Sequence, residues 1–127
     1  MKSRILVIDD EVGIRDSMRR TLEYQGYQFI GAATGQEGLA LIERDPPDLV
    51  FLDIKMPRMS AREVLIQIKK NYKWSQIPII IYSTTILPRD AADYKKLGAY
   101  DIVTKLAKFK DLCDALRIIL KKYEQFK

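Results

Sequence analysis

The sequence contains no histidine. An imidazole general base, an imidazole metal ligand and a phosphohistidine are therefore all outside its chemistry. It contains one cysteine, Cys113, which can close no internal disulfide and, lying in a helical stretch, reads as small core or semi-exposed filler rather than a reactive thiol. One thiol and no imidazole leave only oxygen donors for a metal, which suit magnesium, calcium or manganese rather than zinc. No apolar run approaches the roughly 18–20 residues that a membrane span needs. The stretch behind Met1-Lys2-Ser3-Arg4 stops at Asp9, too soon for the apolar region of a secretory signal, so the expected location is the cytoplasm. Linkers, internal repeats and low-complexity segments are missing as well.

What is present is one expected domain, residues 1–127, long enough to bury a core without disulfide or metal staples. A hydrophobic fraction of 47% and a charged fraction of 31% fit a soluble globular protein. The net charge of +5 comes from 22 Lys and Arg against 17 Asp and Glu. Those cations are spread along the chain, with short clusters at Lys69-Lys70, Lys95-Lys96, Lys105 to Lys110 and Lys121-Lys122. A solvated surface is expected, with no direct nucleic-acid binding and no membrane contact, while a basic patch for an acidic partner protein stays open.

Five short apolar runs alternate with helical patterns: Ile5–Ile8, Tyr27–Ala32, Leu49–Leu52, Ile77–Tyr82 and Asp101–Val103. That alternation predicts an α/β fold with a parallel sheet. Ala61, Val64, Leu65 and Ile68 fall at helical spacing and make one apolar face; Leu112, Ala115, Leu116, Ile119 and Tyr123 make another, both read as sheet-facing core. Gly26 and Gly98 are placed to stop helices, Pro46-Pro47 and Pro78 precede strands, and Pro88 suits a first helical turn. The lysine-rich end, Lys121 to Lys127, is expected to fray. Right-handed crossovers then put all C-terminal strand ends on one rim, the place where open α/β sheets bind ligands.

On that rim fall Asp9 and Asp10 after the first run, Asp53 after the third, Ser83 after the fourth and Lys105 after the fifth. Crowded carboxylates call for a divalent cation, a lysine, or both. A carboxylate cluster, a hydroxyl and a lysine are what phosphoryl chemistry on magnesium would use.

With these residues in place, the chain resembles the receiver domain of two-component response regulators over essentially its whole length. Asp9-Asp10 looks like that family's acidic pair, Asp53 with Met56-Pro57 like its phosphoacceptor motif, Ser83 like its Ser/Thr position, and Lys105 like its lysine. The resemblance implies a flavodoxin-like doubly wound five-stranded parallel sheet of strand order 2-1-3-4-5, with helices on both faces. It implies that Asp53 is the nucleophile that becomes an aspartyl phosphate. It implies Mg2+ bound by Asp10 and Asp53 directly, by the Lys55 carbonyl, and by Asp9 largely through water. Lys105 would neutralise phosphate charge, and Ser83, with Thr84 beside it, would turn to the phosphate. Lys55 and Thr85, two residues beyond Asp53 and Ser83, would tune the lifetime of the phosphate; neither offers a carboxylate to orient water.

The departures are also specific. Leu106 follows Lys105 where proline is usual, so a trans bond and a less firmly held lysine are expected, because a cis bond without proline costs about 2.5–4 kcal/mol. Thr84 stands where alanine is common, and Ser60 and Ala61 stand where aspartate and glycine are frequent. Ile102 occupies the aromatic switch position, and strand alternation makes neither Tyr82 nor Tyr100 an obvious substitute.

The function expected is a phosphorylation-controlled signalling switch, fed by a partner histidine kinase or phosphotransfer protein and not itself an enzyme beyond slow self-dephosphorylation. An effector domain or partner protein would meet the face from Pro88 to Tyr123, where Lys95, Lys96, Lys108 and Lys110 give a basic bias. Leu106 and Ile102 keep a second reading open, a degenerate receiver that works as a constitutive interaction module. A magnesium-dependent phosphohydrolase is disfavoured because Lys55 holds the place where such enzymes carry a second aspartate.

Overall fold

A computed structural model describes residues 3–84, 86–104, 114, 117, 118 and 120–122. Five strands form one parallel sheet in the order β2-β1-β3-β4-β5: β1 (Arg4–Ile8), β2 (Gln28–Ala32), β3 (Leu49–Leu52), β4 (Ile79–Ser83) and β5 (Asp101–Thr104). The helices between them are α1 (Val12–Tyr24), α2 (Gly35–Arg44), α3 (Ala61–Lys70) and α4 (Pro88–Lys96).

The sheet has two dry faces because its central strands are apolar apart from Arg4, which opens β1, and Ser83, which closes β4. Ile5, Val7, Leu49, Phe51, Ile80 and Tyr82 pack with Met18 and Leu22 of α1 and with Leu120. The alternate residues Leu6, Ile8, Val50, Leu52, Ile79 and Ile81 pack under α2 and α3, where Ala61, Val64, Leu65 and Ile68 are all fully buried. A period of two in the strands thus meets a period near 3.6 in the helices. The stripe from Leu112 to Tyr123 lies outside the described residues.

Strand limits differ slightly from the apolar runs, for reasons of donor use. Helix α1 ends in a Schellman motif: Gly26, at φ 90°, donates to Glu23 O, and Tyr27 N donates to Leu22 O at 2.9 Å. Tyr27 therefore closes the helix and leaves β2 to begin at Gln28. Helix α4 ends the same way, with Gly98 at φ 108° donating to Lys95 O and Ala99 N donating to Tyr94 O. Ile77 donates to Trp74 O in a turn and Pro78 has no N–H, so β4 starts at Ile79; it runs one residue further than the apolar pattern, to Ser83. Pro88 is at the start of α4, the position its missing N–H suits. Two helix starts carry an S/T-x-x-E capping pair: Thr34 Oγ accepts from Glu37 N, and Ser60 Oγ accepts from Glu63 N at 3.2 Å.

Candidate functional site

The C-terminal rim of the sheet positions its carboxylates by register. Ile8 pairs with Leu52, so the residues that follow, Asp9 and Asp53, leave adjacent strands side by side. Asp9 N donates to Ala32 O and Asp53 N donates to Ile8 O, each at 3.0 Å, which carries the ladder one residue past the strand ends. Asp9 is further fixed by a turn in which its Oδ1 accepts from Glu11 N at 2.9 Å, and Arg15 of α1 reaches back to donate to the Asp9 carbonyl at 2.7 Å. Asp9 and Asp53 are 1% and 3% exposed, whereas Asp10 faces solvent. Carboxylate oxygens of Asp9, Asp10 and Asp53 all lie within 4.8 Å of one another.

This donor set fits a hard divalent cation. It supplies only carboxylate oxygens, two of them from buried groups, with one exposed side open to water and to a substrate oxygen. Magnesium suits such a site because it keeps several waters and takes one or two carboxylates together with phosphate oxygens.

Ser83, the last residue of β4, is buried on the same rim and in register with Thr104, while Thr84 beyond it is exposed. Lys55 is exposed and lines a cavity of about 480 Å³ with Ile54, Arg62, Leu87, Asp90 and Tyr94. Burial, with Asp90 adding to it and Arg62 partly opposing it, raises the Tyr94 hydroxyl above its ordinary 10.0. Between Asp53 and α3 the chain passes through Arg58 at φ 70°, a left-handed conformation that non-glycine residues seldom take.

Ile102 is half-buried against the α2/α3 side of the sheet. Tyr82 lies on the opposite side, 2% exposed, with its ring edge-on to Phe51 at 6.0 Å and 76°. Tyr100 precedes β5 and donates its N–H to Ile79 O, at the other end of the strand from Ser83. Thr85 and the Lys105-Leu106 pair, including the trans bond expected there, lie outside the described residues.

Two residues of the site escaped the sequence reading. Arg15 is read most simply as a solvated helix cation, yet it holds the Asp9 backbone; its place about one turn into the helix after an acidic strand end was the available signal. Arg62 sits one position inside α3 and joins the cavity beside Lys55, a placement visible only once α3 and α4 are set against each other.

Comparison with known proteins agrees with this geometry. The sequence profile of the response regulator receiver domain matches residues 5–117. The chain is 35% identical over 124 residues to a probable transcriptional regulator ycf27 from Porphyridium aerugineum, covering 98% of this chain and 50% of that protein. It is 34% identical over 122 residues to the response regulator MprA from Mycolicibacterium vanbaalenii, covering 96% of this chain and 52% of that one. The chain thus spans about half the length of these relatives. Among solved structures, a CheY-like response regulator receiver domain protein from Methanospirillum hungatei superposes with a TM-score of 0.85 at 30% identity, with 100% of both chains covered. The parallel order 2-1-3-4-5, the rim carboxylates and these matches lead to one assignment: the chain belongs to the response regulator receiver domain family.

Proposed function

We propose that the chain is a phosphorylation-controlled switch in which Asp53 accepts a phosphoryl group from a histidine kinase or phosphotransfer protein. The observation that carries the proposal is the convergence of Asp9, Asp10 and Asp53 within 4.8 Å at the end of β1 and β3. A carboxylate there is a nucleophile held still by the ladder hydrogen bond at its own N–H. One Asp53 oxygen attacks phosphorus, a P–O bond to Asp53 forms, and the bond from phosphorus to the donor breaks with its electron pair leaving on the donor.

Asp10 and Asp53, with the Lys55 carbonyl and with Asp9 behind them, are the residues to hold magnesium, which when bound would neutralise charge on the transferring phosphoryl group. In this proposal Ser83 and Thr84 would donate to a phosphate oxygen, and Lys105 would pair with it. Lys55, which is exposed, and Thr85 offer no carboxylate to orient water, so self-dephosphorylation is slow and the domain is not an enzyme in turnover. Ile102 offers no ring to swing, so the message leaves through the segment after Ser83 toward the face from Pro88 to Tyr123, where an effector or partner would bind. None of the described helices is long and apolar enough to cross a membrane, which is consistent with action in the cytoplasm.

Incubation with acetyl phosphate followed by intact mass tests the proposal. A phosphate-sized adduct that needs magnesium and disappears in Asp53→Ala supports it. No adduct in the wild-type chain favours the constitutive interaction module instead.

A further inference from the structure

Lys69 belongs to the opposite end of the sheet from the carboxylates. It sits in the last turn of α3, half-buried, and lines the roughly 780 Å³ cavity bounded by Pro47, Asp48, Gln76, Pro78 and Tyr100 where β3, β4 and β5 begin. Its aliphatic stem lies across Gly98: a Cβ on that glycine would stand 3.0 Å from Lys69 Cγ. The stem therefore approaches the Gly98 backbone as closely as a residue without a side chain allows, and this aims the terminal nitrogen into the α3–β4 connection. There Nζ donates to Ser75 O at 2.9 Å and to Ile77 O at 3.0 Å.

Two hydrogen bonds need only two N–H groups. A neutral amine keeps both and has a lone pair at its remaining tetrahedral position, on a residue that lines the cavity. Burial pushes Lys69 below the usual lysine value of 10.5, in the direction that supplies that neutral form. The titratable groups that share the cavity are Asp48 and Tyr100. Asp48 Oδ2 accepts from Arg4 N at 2.7 Å, so its charge is turned toward β1. Lys70, the neighbour in sequence, is exposed and makes an internal control.

We propose that Lys69 is an acylation site, taking a small acyl group from an activated acyl donor such as an acyl phosphate or an acyl thioester. Neutral Nζ attacks the acyl carbon and a C–N bond forms. The C–O bond to phosphate, or the C–S bond to the thiol, breaks with its electron pair leaving on oxygen or sulfur, and the extra Nζ proton passes to water. The amide product has one N–H, so one of the two carbonyls, Ser75 or Ile77, loses its donor. Acylation thereby loosens the α3–β4 connection and leaves the phosphoacceptor rim in place.

The experiment exposes the folded chain to a limiting amount of acetyl phosphate in one arm and of acetyl coenzyme A in the other, without magnesium, and follows each lysine by peptide mass spectrometry across pH. Lys69 is expected to be acylated before Lys70 and Lys73, with a rate-against-pH midpoint displaced downward from theirs, and the faster arm identifies the donor class. Lys69→Arg, which keeps the donors but not the nucleophile, is expected to remove the early product and leave acylation of Lys70 and Lys73 unchanged. Lys69 reacting no sooner than Lys70 in both arms, or with the same pH midpoint, overturns the proposal.

Discussion

Gly38 places α2 against β1 immediately before the acidic rim, and replacing it by alanine crowds that contact. A Cβ there would stand 2.8 Å from Ile8 Cγ1 and closer still to Ile8 Cδ1. Carbon atoms pack comfortably at about 3.5–4.0 Å, so α2 or Ile8 must yield by roughly an ångström. Ile8 is fully buried with Ala32, Leu52 and Ile42 in its cluster, so any shift of its side chain presses on packed neighbours. Forcing a methyl into such a core costs about 1–3 kcal/mol. Alanine in a helix recovers about 0.8–1.0 kcal/mol relative to glycine, which leaves a net loss of about 0–2 kcal/mol. Gly13 in α1 is the matched control: it is exposed, and a Cβ there meets nothing within 4 Å, so only the helix gain applies. Urea denaturation of the two variants should therefore separate them by about 1–3 kcal/mol, Gly13→Ala at or above wild type and Gly38→Ala below it. Because Ile8 leads directly into Asp9, Gly38→Ala is also expected to weaken the magnesium binding proposed for the rim carboxylates. Gly38→Ala as stable as Gly13→Ala would refute the close approach of α2 to β1.

Ser60→Ala removes the oxygen that accepts from Glu63 N and should cost about 1 kcal/mol, read from the urea midpoint; an unchanged midpoint would discount the cap. Lys55→Asn should shorten the half-life of the phosphorylated chain, measured by loss of the mass adduct, and an equal or longer half-life would remove Lys55 from the account. Beryllofluoride with magnesium should leave the near-ultraviolet tyrosine signal nearly unchanged, because Tyr82 is already buried against Phe51 and Ile102 has no ring; a large change would contradict this. Between the lowered folded value of Lys69 and its ordinary 10.5, the unfolded chain binds more protons than the folded one, so stability contributed by this group rises with pH across that window. Tyr94, raised above 10.0, acts in the opposite sense beyond that pH, so the comparison belongs in a Tyr94→Phe background. There Lys69→Arg should abolish the rise in urea midpoint, and parallel pH profiles would count against a lowered Lys69.

The sheet was legible because Leu49–Leu52 and Ile79–Ile81 are apolar throughout, which only a strand covered on both faces requires. Its ends were less so: Tyr27 and Ile77 look like strand residues and are diverted by a helix cap and a turn that claim their N–H groups. The rim carboxylates were legible for the same reason as the strands, since a charge that ends an apolar run marks the run's end. Arg15, Arg62 and Lys69 were not, because an arginine or lysine on a helix has the same local sequence whether it points to water, to a carbonyl of another element or into a cavity. Their roles depend on the packing of α1 on β1, on the cavity that α3 and α4 share, and on the approach of α3 to the β4 lead-in, all between residues distant along the chain or turned by a loop.

The central claim is that the phosphoryl group goes to Asp53. Borohydride reduction of the chain after treatment with acetyl phosphate and magnesium converts an aspartyl phosphate to homoserine, and peptide sequencing by mass spectrometry then locates it. The account predicts homoserine at position 53, absent without magnesium or without the phosphodonor. Homoserine at position 9 or 10 in place of 53, or at none of the three, would contradict it.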